Sequence, residues 1–325
     1  MQATTPPGGT LTNFFKVEPI VGAYNNALKL QSYGIDPLIL DLNGDGVRLT
    51  SFQDHLVLFD VDHDGGSKEQ TGWVAANTIT GGTPPTINTD GIVAHDLNNN
   101  GVIDNISETL SEYYTGTVGT NGDAGTKPFT NGFTAFKSVD SNNDNLFTGA
   151  DAAWNTLRVW VDDNADGLSF KDVNDNGTYQ PGIDQSELKT FAELGITSIN
   201  LTPTTQSGLI NGGNEILATG NFVIGGQTRE AQAANFLANP DGHTFLTQQN
   251  GANTGAKIVT QGANGGTSSY VSHSATGESM NATALGVNNL YGGIGNDTLT
   301  GNDAANWLAG GVGSDTFDAG AGEDV

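Results

Sequence analysis

The chain has 325 residues, with 36 acidic against 11 basic, a formal charge of -25 and no cysteine. That charge disfavours nucleic acid and anionic membrane as partners and asks for cations, while the lack of thiols excludes disulfides and sulfur-held zinc and leaves hard cations on oxygen ligands. With 46 glycines and 36% hydrophobic residues, part of the chain is expected to lack a packed core, and no apolar run approaches the about 20 residues that cross a bilayer.

Residues 1–36 form a flanking segment. A Pro/Gly/Thr tail is followed by apolar residues at helical spacing, Val21, Tyr24, Ala27, Leu28 and Leu30, ended by Gly34. The opening "MQATTPPGGTLTNFF" has no basic region before an apolar stretch, so no export signal is expected there. The chain also stops inside a repeat, as an excised piece of a longer protein would.

Between residues 37 and 246, short β-like runs alternate with Asp/Asn/Gly loops: "LILDL", "LVLFDV", "GWVAA", "TLRVWVD", "ITSINL" and "NFVIGG". "GFTAFKSVD" and "SELKTFAELG" read as helices. The expected fold is therefore an α+β calcium-loop domain with EF-hand-like loops, followed by the start of a parallel β-roll.

The loops carry single carboxylates spaced by two, the ligand spacing of a calcium loop. Asp41, Asn43 and Asp45 precede Gly46, but Phe52 stands at position 12, so any ion there must borrow a ligand from elsewhere. Asp60, Asp62 and Asp64 have Glu69 at position 10 as an irregular closing ligand. Asp96, Asn98, Asn100 and Asp104 have Glu108 at position 13. Asp140, Asn142, Asp144, the carbonyl of Leu146, Thr148 and Asp151 come closest to the full template, with Asn145 in place of the turn glycine. Asp162, Asn164 and Asp166 are separated from Glu187 by an insert with Asp172, Asn174 and Asn176, which is either a loop of its own or a spacer. One such motif alone is commonly an Asx-turn. Five in one cysteine-free acidic chain point to several bound calcium ions, and magnesium, which keeps its own waters, fits less well.

Residues 247–282 are rich in Gly, Asn, Ser and Thr and read as a linker, or else as a β-hairpin extension of the preceding domain. Residues 283–325 repeat every nine residues in the form G-G-x-G-x-D-x-U-x. The sixth position, Asp297, Asp315 and Asp324, is expected to face calcium between coils, with Asn306 in the weak second copy. The apolar residues Leu299, Trp307 and Phe317 are expected to pack inside the roll. This stretch resembles the RTX repeat, which implies calcium-triggered folding after type I secretion, and hence a secreted or cell-surface protein.

Asp36-Pro37 is the only Asp-Pro pair in the chain. An aspartyl side chain can attack its own main-chain carbonyl to give a five-membered anhydride, and proline leaves as a secondary amine. The reacting groups are already held together intramolecularly. In sequence order, "GIDPLILDLNGDGV", "FDVDHDGGSKEQTGWV", "DLNNNGVIDNISE", "DSNNDNLFTGAD", "LRVWVDDNADG" and "ELKTFAELGITSINL" resemble the self-processing module of FrpC-like RTX proteins over about residues 34–245. The resemblance implies calcium-triggered cleavage at Asp36-Pro37, with Asp36 reacting, Pro37 as the new N-terminus and an isopeptide bond to a lysine as a further outcome. The competing reading is a calcium-binding structural or adhesion segment. The five scattered histidines form no H-E-x-x-H, and no G-x-S-x-G is present, so a metalloprotease or serine hydrolase has little support. Trp73, Trp154 and Trp160 are expected in the core.

Overall fold

The run Leu38–Leu40 is buried at all three residues. Successive strand side chains point to opposite faces, so Leu38 and Leu40 enter one core cluster and Ile39 the other. A strand that is apolar throughout thus becomes the middle of a sheet covered on both sides. The protein was studied as a computed structural model, which describes residues 35–65, 68–75, 90–120, 123–162, 165–173, 178–238, 243–251, 255–262, 265–272, 274, 276–293, 295–311 and 313–325. The helix expected before Gly34 lies outside the described residues.

Leu38–Leu40 pairs antiparallel with Gly91–Ala94 on one side and Gln227–Asn235 on the other. The sheet continues outward through Arg158–Trp160 to Leu188–Lys189, and in the other direction through Asn214–Ile224 and Ile196–Asn200 to Leu146–Thr148. Thr204–Asn211 adds a hairpin to Asn214–Ile224. One face packs on Phe133, Phe136, Phe147 and Phe191, and the other on Phe59, Trp73, Trp160 and Phe236. Each such aromatic contributes roughly 1.5–3 kcal/mol by leaving water.

The expected α+β domain with EF-hand-like helix contexts is overturned. Strands dominate a curled sheet, and only three short α-helices, Gly132–Lys137, Phe191–Leu194 and Ala282–Leu285, occur among the described residues. "GFTAFKSVD" is helical through Lys137, fixed by a reciprocal capping box between Asn131 and Thr134. "SELKTFAELG" is helical only at Phe191–Leu194. Its first half, Leu188–Lys189, pairs instead with Arg158–Trp160, where the ladder satisfies its backbone.

Strands Gly255–Gly262 and Gly265–Ser272 run through the stretch read as linker or hairpin, as an antiparallel pair. Onto the second of them the nonapeptide coils stack in parallel. Tyr270 aligns with Leu290 and Leu290 with Leu308, while on the opposite side Met280, Leu299 and Phe317 align in turn. Two nonapeptides make one coil, so Leu299 and Leu308 share an interior with Leu290 and Met280. Trp307 does not occupy that interior: it packs outward with Leu56, Leu58 and Tyr291, and its indole donates to the Gln53 carbonyl at 3.2 Å. Phe317 pairs with Leu299 but is 50% exposed.

Candidate functional site

All five aspartate loops share one backbone signature. Positions 4 and 6 are left-handed in each: Gly44 and Gly46, His63 and Gly65, Asn99 and Gly101, Asn143 and Asn145, Ala165 and Gly167, with φ from 53° to 90°. Asn145 therefore does the work of the missing turn glycine, at φ 64°. In four loops the first aspartate accepts the N–H of position 6: Gly46 to Asp41 at 3.2 Å, Gly101 to Asp96 at 2.8 Å, Asn145 to Asp140 at 2.9 Å and Gly167 to Asp162 at 2.9 Å. In the fifth, the amides of His63, Asp64 and Gly65 face Asp60. The loops have the front half of a calcium loop but are mounted on strands.

The closing residues differ from loop to loop. Glu108 folds back onto its loop, accepting from Leu97 and Asp104 at 3.0 and 2.8 Å, while Asp104 receives the amides of Asn98 and Asn100. Asp151 likewise accepts from Ser141 and Thr148 at 2.9 and 2.8 Å, beside Asp144, which holds Asn142 and the Leu146 N–H. Glu69 accepts the Val61 N–H at 3.1 Å, which brings it onto the Asp60 loop. Glu187 is buried, and its backbone bridges Val161 and Ser169 on either side of the Asp162 loop. Asn164, Asn174 and Asn176 lie outside the described residues, and Asp172 is half-buried. The insert is gathered by Asp184, which accepts from Val173 and Gln180 at 3.0 and 2.6 Å. Sequence reading missed Asp184, although it sits 12 residues after Asp172, as Glu108 does after Asp96.

Three loops meet on one side of the sheet. The Ile106 N–H donates to the Asp60 carbonyl, the Ile103 N–H to the Ser169 hydroxyl, and the Trp73 indole to Asp162 at 2.8 Å. The amine of Lys68, pushed down by burial, lies in the combined field of Asp104, Asp60 and Asp166. Ligand oxygens of Asp60, Asp62 and Asp64 lie within 4.8 Å of one another. Burial first, then neighbouring carboxylates, pushes Asp62 up to about 6 and Glu69 up to about 9.

These residues fit calcium, because several carboxylates keep one buried oxygen with no hydrogen-bond partner: Oδ1 of Asp60, Oδ1 of Asp140 and Oδ2 of Asp297. Buried polar atoms are nearly always satisfied, and an oxygen lone pair without a donor is what a hard cation takes up. In the repeats, Asp297 receives the Glu278 N–H and gives its own N–H to Asp315, while Asn306 gives its N–H to Asp324. Gly292 and Gly310 are required here, since a Cβ would fall 2.6 Å from Asp297 Oδ2 and 2.3 Å from Asp315 Oδ2.

The Asp36-Pro37 bond is pinned from every side. Asp36 is 2% exposed; its N–H donates to Glu112 Oε2 at 2.9 Å and its Oδ1 accepts the Glu112 N–H at 3.0 Å. Glu112 in turn holds Lys127 at 3.1 Å, with the Lys127 amine 4.6 Å from the centre of the Tyr113 ring. The Phe236 N–H donates to the Ile35 carbonyl, the Ala234 N–H to the Pro37 carbonyl and the Leu38 N–H to the Leu110 carbonyl. Gly132 packs against the scissile carbonyl so closely that a Cβ would stand 2.8 Å from the Asp36 oxygen. Burial, then the hydrogen bond and charge of Glu112, raises the Asp36 carboxyl well above the ordinary aspartate range. Glu112 carries no motif, and nothing in the sequence marks it.

Calcium-type loops on a two-faced sheet, leading into a parallel roll of nonapeptides, define an RTX protein segment. The RTX calcium-binding nonapeptide repeat matches residues 287–325. The SPM domain matches residues 38–237, more than half of the chain, and the chain belongs to that family. The iron-regulated protein FrpA of Neisseria meningitidis serogroup C is 34% identical over 190 residues, covering 58% of this chain and 14% of FrpA. The chain thus spans a small part of the length of that relative. No described helix is long and apolar enough to cross a membrane.

Proposed function

We propose that this chain is a calcium-triggered self-cleaving segment of a secreted RTX protein, and that it cuts its own Asp36-Pro37 bond. The observation that carries the reading is the reciprocal pair between Asp36 and Glu112, which holds a buried carboxyl on the residue whose carbonyl must be attacked. An Asp36 side-chain oxygen forms a bond to the Asp36 carbonyl carbon. The bond from that carbon to the Pro37 nitrogen breaks, and its electron pair stays on nitrogen. The proton released by the pair of carboxyls ends on the same nitrogen, so the products are a five-membered aspartyl anhydride and a neutral secondary amine. Water opens the anhydride to a free aspartate; a lysine amine opens it to an isopeptide bond and one carboxyl.

Asp41, Asn43 and Asp45 would hold an ion beginning four residues downstream of Pro37, in the loop that follows the strand Leu38–Leu40. Calcium, when bound, supplies positive charge that lets these crowded carboxylates keep a fixed shape. Leu110, Ala234 and Phe236 keep the bond from turning while the side chain closes on it, which is positioning of the kind that lowers the entropic part of a barrier.

Adding millimolar calcium to the purified chain and weighing the products by mass spectrometry tests the reading. Fragments ending at Asp36 and beginning at Pro37, absent with chelator and absent in Asp36→Asn, support it. An intact chain after prolonged incubation removes it, and favours the structural reading in which the same loops stiffen an extracellular protein.

A further inference from the structure

The loop Asp41, Asn43, Asp45 lacks a closing carboxylate of its own, because position 12 is Phe52. The fold supplies one from 49 residues away. Leu40 pairs with Gly91 in the antiparallel register that also pairs Ile39 with Ile92. Carried one residue further, the register sets Asp41 beside Asp90. Asp90 is 3% exposed, and its Oδ2 accepts the Arg48 N–H at 2.6 Å, at the far end of the same loop. Its Oδ1 is buried with no hydrogen-bond partner.

Two like charges directly across an antiparallel pair repel, and a buried carboxylate oxygen without a donor is costly. Asp41 and Asp45 both face Asp90 with like charge, and the N–H groups of Arg48 and Leu42 point at the same carboxylate. Arg48 relieves Asp45 through an exposed ion pair at 2.9 Å, but its side chain is 53% exposed and lies outside the buried site. A cation accounts for all three carboxylates at once.

We propose that Asp90 is the closing calcium ligand of the Asp41, Asn43, Asp45 loop, in the place that position 12 fills in a self-contained loop. This ligand joins Leu38–Leu40 to Gly91–Ala94 at the far end of the strand that follows Pro37. The inference deepens the self-cleavage reading, and its test is independent of scission.

Calcium binding is measured by titration calorimetry on the full chain carrying Asp36→Asn, so that cutting cannot alter the count. Adding Asp90→Asn should remove one calcium equivalent or weaken one site at least tenfold, while Asp54→Asn, at an exposed serine-bonded carboxylate, changes neither. Unchanged stoichiometry and affinity in the Asp90→Asn chain would overturn the proposal. Should that chain fail to fold, carbon-13 signals of the aspartate side-chain carboxyls in the Asp36→Asn chain decide the matter. Asp90 and Asp41 should shift at the same calcium equivalent, and a stationary Asp90 signal beside a moving Asp41 signal overturns it. Failure of the self-cleavage reading shows elsewhere, as an unmodified chain that stays whole in calcium whatever Asp90 does.

Discussion

Asp36 and Glu112, 76 residues apart, each donate a backbone N–H to the other's carboxylate, at 2.9 and 3.0 Å. The two carboxyls are thereby forced together in a buried place where both cannot easily be charged. Lys127 steadies one side of the pair, on Glu112 Oε1. In the proposed scission, Glu112 is the group placed to assist the Asp36 carboxyl.

Glu112→Gln keeps the shape and both backbone donors but removes the proton carrier. Scission at saturating calcium should slow by about a hundredfold, the scale of one acid–base group, while the far-ultraviolet dichroism of the loaded chain stays the same. A rate within twofold of the unmodified chain would leave Glu112 with a packing role only.

The folded-state Asp36 carboxyl titrates above its ordinary value, because burial and Glu112 both favour the neutral form. The stability tied to that proton is fully present below the ordinary aspartate range and is lost as pH rises through the raised value. In the proposed scission the same proton ends on the leaving nitrogen. Initial scission rates, measured with calcium saturating at every pH, should therefore fall as pH rises across that window; a steady climb would contradict the assignment.

Gly132→Ala should damage the scissile region. A Cβ at 132 would meet the Leu110 carbonyl at 2.6 Å and both the Asp36 carbonyl and the Leu38 nitrogen at 2.8 Å, all backbone atoms that cannot swing aside. The expected cost is about 1–3 kcal/mol in urea denaturation, as for an overpacked core, accompanied by slower scission. An unchanged midpoint would show that the helix start at Asn131 is free to back away.

Trp73→Phe should lose the indole hydrogen bond to Asp162, a fully buried carboxyl, and destabilise the loaded chain by about 1.5–3 kcal/mol. In the unmodified chain the same indole sits 5.1 Å from Trp160 and 5.4 Å from Phe59, centre to centre. Calcium reaching the Asp162 loop should therefore change tryptophan emission, and Trp73→Phe should lose most of that change.

Removing calcium should lower the melting temperature of the whole chain, since ions that bind only the folded state stabilise it by about 2.7 kcal/mol at a hundredfold excess over the dissociation constant. A chelated sample that melts with the loaded one would contradict the calcium-loop reading of the orphaned oxygens of Asp60 and Asp140.

Local chemistry was legible in the sequence. Spacing by two marked five turns that are left-handed at positions 4 and 6, and even Asn145 took the left-handed turn that its side chain permits. The strand "LIL" was legible because it is apolar at every position. Non-local pairing was not: Glu112 and Asp90 reach their partners through sheet register and chain crossings, which leave no trace in spacing. The α+β expectation failed where Leu188–Lys189, a good helix start by pattern, was taken up by the edge of Arg158–Trp160. Trp307 was misplaced by one position, and in a ladder of alternating faces a single step moves a ring from the interior to the outside.

Ile35 is 1% exposed and bonded to Phe236, at the end of the neighbouring strand Gln227–Asn235. Any piece ending at Asp36 would thus remain clasped after the covalent link is gone, its fresh acyl terminus sheltered until the clasp opens. Severed halves should co-elute on a sizing column and separate only in denaturant. Release of the severed piece would then require that backbone clasp to open.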